Sequence, residues 1–114
     1  MMKTTKATSK TAVFEQSLAK SGRSRYLLHL YVAGMTPRSV RAIANIKEIC
    51  EEYLKGRYDL RVIEIYQQAV LAEEDQIIAA PTLLKKLPLP LRRIIGDLSD
   101  REQVLTELDL RPRQ

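Results

Sequence analysis

Apolar positions fall into two clear rhythms in the first half of the chain and lose them in the second. From Tyr26 to Val32, Leu28, Leu30 and Val32 alternate with Leu27, His29 and Tyr31. Nearly every position there is apolar or amphipathic, which predicts a strand buried on both faces of a sheet. Gly34 bounds the run, Thr36 offers an N-cap hydroxyl, and Pro37 takes a first helical position where its missing N–H costs nothing. The period then changes. Val40, Ile43, Ile46, Ile49, Cys50, Tyr53 and Leu54 recur at helical spacing, with Arg41, Asn45, Glu48 and Glu52 opposite. Lys55-Gly56 predicts the stop, since glycine takes the left-handed conformation a helix end favours. Tyr58–Tyr66 alternates again as a second strand, with Ile63 and Ile65 expected on the core side. Strand, helix and strand make a right-handed βαβ unit.

After Tyr66 the local signals conflict. Residues 67–80 have helix-forming composition, but the stripe of Val70, Leu71, Ile77 and Ile78 is split by Glu73, Glu74 and Asp75. Thr82–Leu87 and Leu91–Gly96 are short and mixed, and both are read as strands. Ser99-Asp100-Arg101-Glu102 is a capping box with Val104, Leu105 and Leu108 behind it, which predicts a last helix capped by Ser99. The order is then βαβαββα. Pro81, Pro88 and Pro90 punctuate this half, and each limits helix through the residue before it. Proteins of the thioredoxin fold place a cis-proline just before the third strand, where Pro81 falls; trans is the default for the others.

Composition changes the picture only where charge is located. The chain has 114 residues and a formal charge of +5, enough for one domain without staples. Lys3, Lys6, Lys10, Lys20, Arg23 and Arg25 stand against Glu15 alone in the first 25 residues, while the remainder is balanced. The basicity therefore belongs to a Ser/Thr/Lys-rich leader, residues 1–24, expected to be a flexible, solvated tail. Its short apolar patch, Val13-Phe14 and Leu18, makes docking on a partner or a neighbouring subunit the alternative. A balanced domain argues against nucleic-acid binding. No apolar run is long enough to span a membrane, no secretory signal opens the chain, and one cysteine fits a reducing cytoplasm.

Candidate chemistry is sparse. Cys50 lies on the core face of the first helix, where a lone cysteine is a small hydrophobe. The turn Gly34-Met35-Thr36-Pro37-Arg38 holds no nucleophile at the place where redox proteins of the thioredoxin fold carry two cysteines. His29 is the single histidine and has no ligand spacing around it. Glu73-Glu74-Asp75 reads as a solvated helix face. No catalytic residue, metal site or cofactor is expected.

The blocks LYVAG-TP-SVRA, LAEED, PTL and RRIIGDLSDRE, with the final LDL, occur in order across Arg25–Leu110, and the chain resembles the KaiB family of circadian-clock proteins. The resemblance implies a KaiB-like domain at 25–110, flanked by the leader and a short 111–114 tail. It implies a non-catalytic protein that binds a KaiC-type ATPase ring, self-associates as a dimer or tetramer, and has KaiA-like or histidine-kinase output partners. Family members adopt two packings: a thioredoxin-like βαβαββα form that binds the ring, and a ground-state βαββααβ form sharing the N-terminal βαβ. Basic contact positions carry over to Arg41, Lys85, Arg92 and Arg93. Pro81, Pro88, Pro90, Glu107 and Asp109 fall in the half that rearranges. Two residues depart from the pattern: Glu107 stands where glycine is usual, and Leu89 replaces the middle proline of LPPP. The alternative is a thioredoxin-like redox or stress-response protein outside a circadian oscillator. Sensor domains of clock histidine kinases share the likeness but continue into a kinase, whereas this chain reaches Gln114.

Overall fold

A computed structural model describes residues 25–110. The leader and the 111–114 tail lie outside the described residues. Seven elements follow one another: β1 (Tyr26–Val32), α1 (Pro37–Tyr53), β2 (Tyr58–Glu64), α2 (Ala69–Glu74), β3 (Thr82–Leu87), β4 (Arg92–Ile95) and α3 (Arg101–Glu107). This is the βαβαββα order, that of the thioredoxin-like arrangement. The sheet runs β2-β1-β3-β4. β1 pairs parallel with β2 and antiparallel with β3, and β3 pairs antiparallel with β4.

β1 is central and buried on both sides, as its apolar run requires. Leu28, Leu30 and Val32 pack against Ala42, Ile46, Ile49, Cys50 and Leu54 of α1, with Leu83, Ile94, Val104, Leu105 and Leu108 completing the main core. Tyr31 points the other way, into a smaller cluster with Ile63, Ala72 and Leu84 under α2.

α1 begins as expected. The Ser39 amide donates to Thr36 Oγ1 at 3.2 Å, and Pro37 opens the helix. Its buried face, however, is Ser39, Ala42, Ile46, Ile49 and Cys50, while Val40 is 49% exposed. The expected stripe is rotated at its N-terminal end because Ser39 and Ala42 are small enough to let the helix close on the sheet there. Gly56 follows the helix at φ +80°. In β2, Ile63 is buried and Ile65 half-buried, and Val62 is 42% exposed because β2 is an edge strand.

The second half departs more. α2 stops at Glu74; Val70 and Ile78 are exposed, and only Leu71, Ala72 and Ile77 reach the core. Ala80–Pro81 is cis, as expected, and Leu87–Pro88 and Leu89–Pro90 are cis as well. Asp100, not Ser99, caps α3: its Oδ1 accepts from the Gln103 amide at 3.2 Å. The Ser99 amide instead donates to Asp97 Oδ1 at 3.1 Å, a local turn that pushes the helix start on by one residue.

Candidate functional site

The end of the sheet where β1 delivers its chain to α1 is built from three loops. Glu64 ties two of them: Gly34 N–H donates to its Oε2 at 2.7 Å, while Tyr66 and Gln67 amides donate to its Oε1 at 3.1 Å each. Gly96 N–H donates to Pro81 O at 2.9 Å, which joins the third loop. Met35 stands 70% exposed at the rim. A hydrogen-bonded frame is present, but the turn it holds offers no nucleophile. Cys50 cannot supply one, since it is fully buried and burial pushes its thiol up to about 12.

The four cations singled out in the sequence do not share one surface. Arg41 lies on the α1 flank facing the β4–α3 loop, with Nε 3.0 Å from Asp97 Oδ2, and Asn45 Nδ2 donates to Asp97 O at 2.9 Å. Bonds from Ser99 and Arg41 hold the half-buried Asp97 carboxyl down at about 2. Arg92 and Arg93 are adjacent on β4 and so point to opposite faces of the sheet. Arg92 is exposed and opposite Lys85 in the register. Arg93 is exposed on the α2 side, where Nη1 donates to the carbonyls of Asp75 and Gln76 at 3.1 Å each.

Lys85 is the surprise. Expected as a basic contact position, it is only 1% exposed. Its Nζ lies 5.9 Å from the centroid of the Tyr26 ring, which Arg57 approaches at the same distance. Tyr26 in turn donates its hydroxyl to Leu108 O at 2.7 Å. In this packing Lys85 braces the start of β1 and the end of α3 and offers no exposed contact.

The residues expected to lie in the rearranging half have definite places. Pro81 enters β3, while Pro88 and Pro90 bracket the β3–β4 turn. Glu107 is the last residue of α3 and is half-buried. Asp109 has φ +59°. Leu110 N–H donates to Leu105 O at 2.7 Å and Asp109 N–H to Thr106 O at 3.1 Å. That pair of bonds is a Schellman closure with Asp109 at the left-handed position.

Sequence reasoning missed one cluster. Asp75, read as part of a solvated acidic face, accepts from the Tyr31 hydroxyl and from Lys86 Nζ at 3.2 Å. Burial raises its carboxyl, but the two donors outweigh that and leave it below the usual range. The available signal was Tyr31 itself, since a buried tyrosine hydroxyl needs a partner. His29 stands beside this cluster with Nδ1 buried and unpartnered. Among the described residues, no group of three or more His, Cys, Asp or Glu could hold a metal ion, and no helix is long and apolar enough to cross a membrane.

Comparison with known proteins agrees with this geometry. The KaiB domain profile matches residues 29–110. The circadian clock oscillator protein KaiB of Prochlorococcus marinus (strain MIT 9515) is 60% identical over 90 residues, covering 79% of this chain and 83% of that protein. KaiB of Synechococcus elongatus is also 60% identical over 90 residues, covering 79% and 88%. Among solved structures, the N-terminal domain of Synechococcus elongatus SasA superposes with a TM-score of 0.62 at 26% identity, covering 79% of this chain and 89% of that one. Mitochondrial thioredoxin 3 of Saccharomyces cerevisiae superposes equally well, 0.62, at 15% identity, with 87% and 89% covered; that likeness is one of fold.

Proposed function

Because the chain belongs to the KaiB family, we propose that it is a non-catalytic, cytoplasmic clock or signalling protein that binds a KaiC-type hexameric ATPase. The observation that carries this reading is the family match through residues 29–110, nearly all of the described chain. The geometry supports it: the frame of a thioredoxin-like site is kept, the turn has no cysteine, and the one thiol is sealed in the core. KaiA-like and histidine-kinase output partners, and self-association as a dimer or tetramer, belong to the same proposal.

Of the carried-over cations, Arg41, Arg92 and Arg93 are exposed, and the Arg92–Arg93 pair on the edge strand β4 is the part that would meet an acidic patch on the ring. Lys85 would act from beneath, holding Tyr26 and so the α3 end in place. The second packing, in which the half beyond Glu64 rearranges, is the reservoir from which the binding form is drawn. Pro81, Pro88, Pro90, Glu107 and Asp109 sit at the joints of that half.

The test is sedimentation or size-exclusion binding to a KaiC-type ATPase hexamer with ATP. Wild-type protein should co-elute with the ring, and Arg92→Glu with Arg93→Glu should lower affinity by about tenfold or more, mostly through slower association at low salt. No complex at tens of micromolar protein would overturn the reading.

A further inference from the structure

β4 is the last strand in the order β2-β1-β3-β4, so one of its edges is open. The Gly96 amide donates to Pro81 O at 2.9 Å, and in the antiparallel register the pairs Leu83–Ile94 and Lys85–Arg92 then exchange backbone bonds. β1 gives the same parity. Tyr26 and Val32 turn their backbone groups to Arg57 and Ile65, which leaves His29 and Tyr31 to bond to Leu84 and Thr82 of β3. Arg93 and Ile95 therefore turn their N–H and C=O groups outward, where no strand lies among the described residues.

The side chains beside that edge set what can lie on it. Arg93 is on the α2 face of the sheet, where its Nη1 donates to the carbonyls of Asp75 and Gln76 at 3.1 Å each, and Ile95, two residues on, shares that face. Those two bonds fix the guanidinium and leave Nε and Nη2 for a carboxylate. Next to it is a hollow of about 610 Å³ lined by Arg93, Gln76, Ile77, Ile78 and Glu73. Ile78 is 88% exposed and Ile95 55%. The isoleucines favour an apolar group there, and Glu73 disfavours a carboxylate. The edge thus presents a fixed cation and, beside it, an apolar site. A second copy of β4 is a poor occupant, because two of its four residues are arginines and like charges facing across a strand pair oppose each other. An acidic strand meets them with the opposite sign.

We infer that β4 takes an extended acidic segment of a partner as a fifth strand, with a carboxylate at Arg93 and, two residues away on the same face, an apolar side chain against Ile95 and Ile78. The inference rests on the proposed function for its partner and states how the acidic surface is met: by main-chain bonds to Arg93 and Ile95 as well as by charge.

Amide hydrogen exchange followed by NMR on the full-length chain tests this with two synthetic peptides, Ac-Thr-Glu-Thr-Val-Thr-Glu-Thr-NH2 and its Lys-for-Glu counterpart. Each peptide has the same sequence in both directions, so it presents its charged and apolar residues to β4 in either strand polarity. A protected Ile94 amide, in wild type or in Asp109→Gly, reports that the βαβαββα packing is present. With about 2 mM of the Glu peptide, the Arg93 and Ile95 amides should exchange at least about threefold more slowly, which corresponds to a dissociation constant of about 1 mM or tighter. The Lys peptide should give no slowing, and Arg93→Glu should lose the effect of the Glu peptide at Ile95. No slowing, or equal slowing by both peptides, would overturn the inference. So would slowing that grows with protein concentration in the absence of peptide, which would place a second copy on the edge instead. A KaiC-type ring that binds while the Glu peptide fails would remove this inference alone; a peptide that binds while the ring fails would remove the proposed partner alone.

Discussion

Two residues show how much of the behaviour is set by single side chains. Asp109 occupies the left-handed position that closes α3, where a Cβ is tolerated by aspartate but suits glycine better. Glu107, two residues earlier, is helical, where glycine would cost about 1 kcal/mol. The same glycine substitution should therefore act in opposite senses at the two sites. His29 carries a different dependence. Burial lowers its pKa first, and the Lys86 charge lowers it further, with Arg61 adding to that while Asp75 and Asp59 oppose it. A base whose pKa is depressed by folding stabilises the fold fully above the unfolded value near 6.5 and loses that contribution as pH falls through the folded value. Chemical denaturation of wild type and His29→Gln between pH 8 and pH 5 should show wild-type stability falling more steeply toward acid. Parallel curves would mean that His29 titrates alike in both states.

At the scale of elements, the start of α3 separates two readings of one motif. Asp100→Ala should cost about 1 kcal/mol as the loss of an N-cap, and Ser99→Ala much less, both measured by urea denaturation. The reverse order would restore Ser99 as the cap. The sequence marked the box correctly, because Ser99 and Asp100 are both good caps and both precede an acidic first turn. It could not weigh Asp97, whose carboxylate draws the Ser99 amide into a turn of its own. β1, α1 and β2 were legible for a related reason: there periodicity, cap and glycine stop agree with one another. α2 was not, because its end is set by Asp75 reaching the Tyr31 hydroxyl and Lys86 across the fold. The burial of Lys85 was not legible, since nothing near it in sequence shows that it lies beside the Tyr26 ring. The rotation of the α1 face likewise depends on how closely Ser39 and Ala42 let the helix approach, which only the packing decides.

At the scale of the whole molecule, the agreement of signals through Tyr66 and their conflict afterwards coincides with the proposed division into a constant half and a rearranging half. In the βαβαββα packing, the second half is joined to the first by β3 against β1, by Arg41 and Asn45 on Asp97, by Tyr31 on Asp75, and by the closure of α3 on Tyr26. The last of these ties ends at Leu108, between Glu107 and Asp109. In the proposed function, this packing engages the ATPase ring and is drawn from a minority population. Apparent affinity then follows the population of the packing. The most direct measurement is the dissociation constant for a KaiC-type hexamer of wild type, Asp109→Gly and Glu107→Gly under one set of conditions. A bias of about 1 kcal/mol corresponds to roughly fivefold in affinity, so Asp109→Gly should bind about fivefold tighter and Glu107→Gly about fivefold weaker. Equal affinities for all three proteins, or the opposite order, would contradict it.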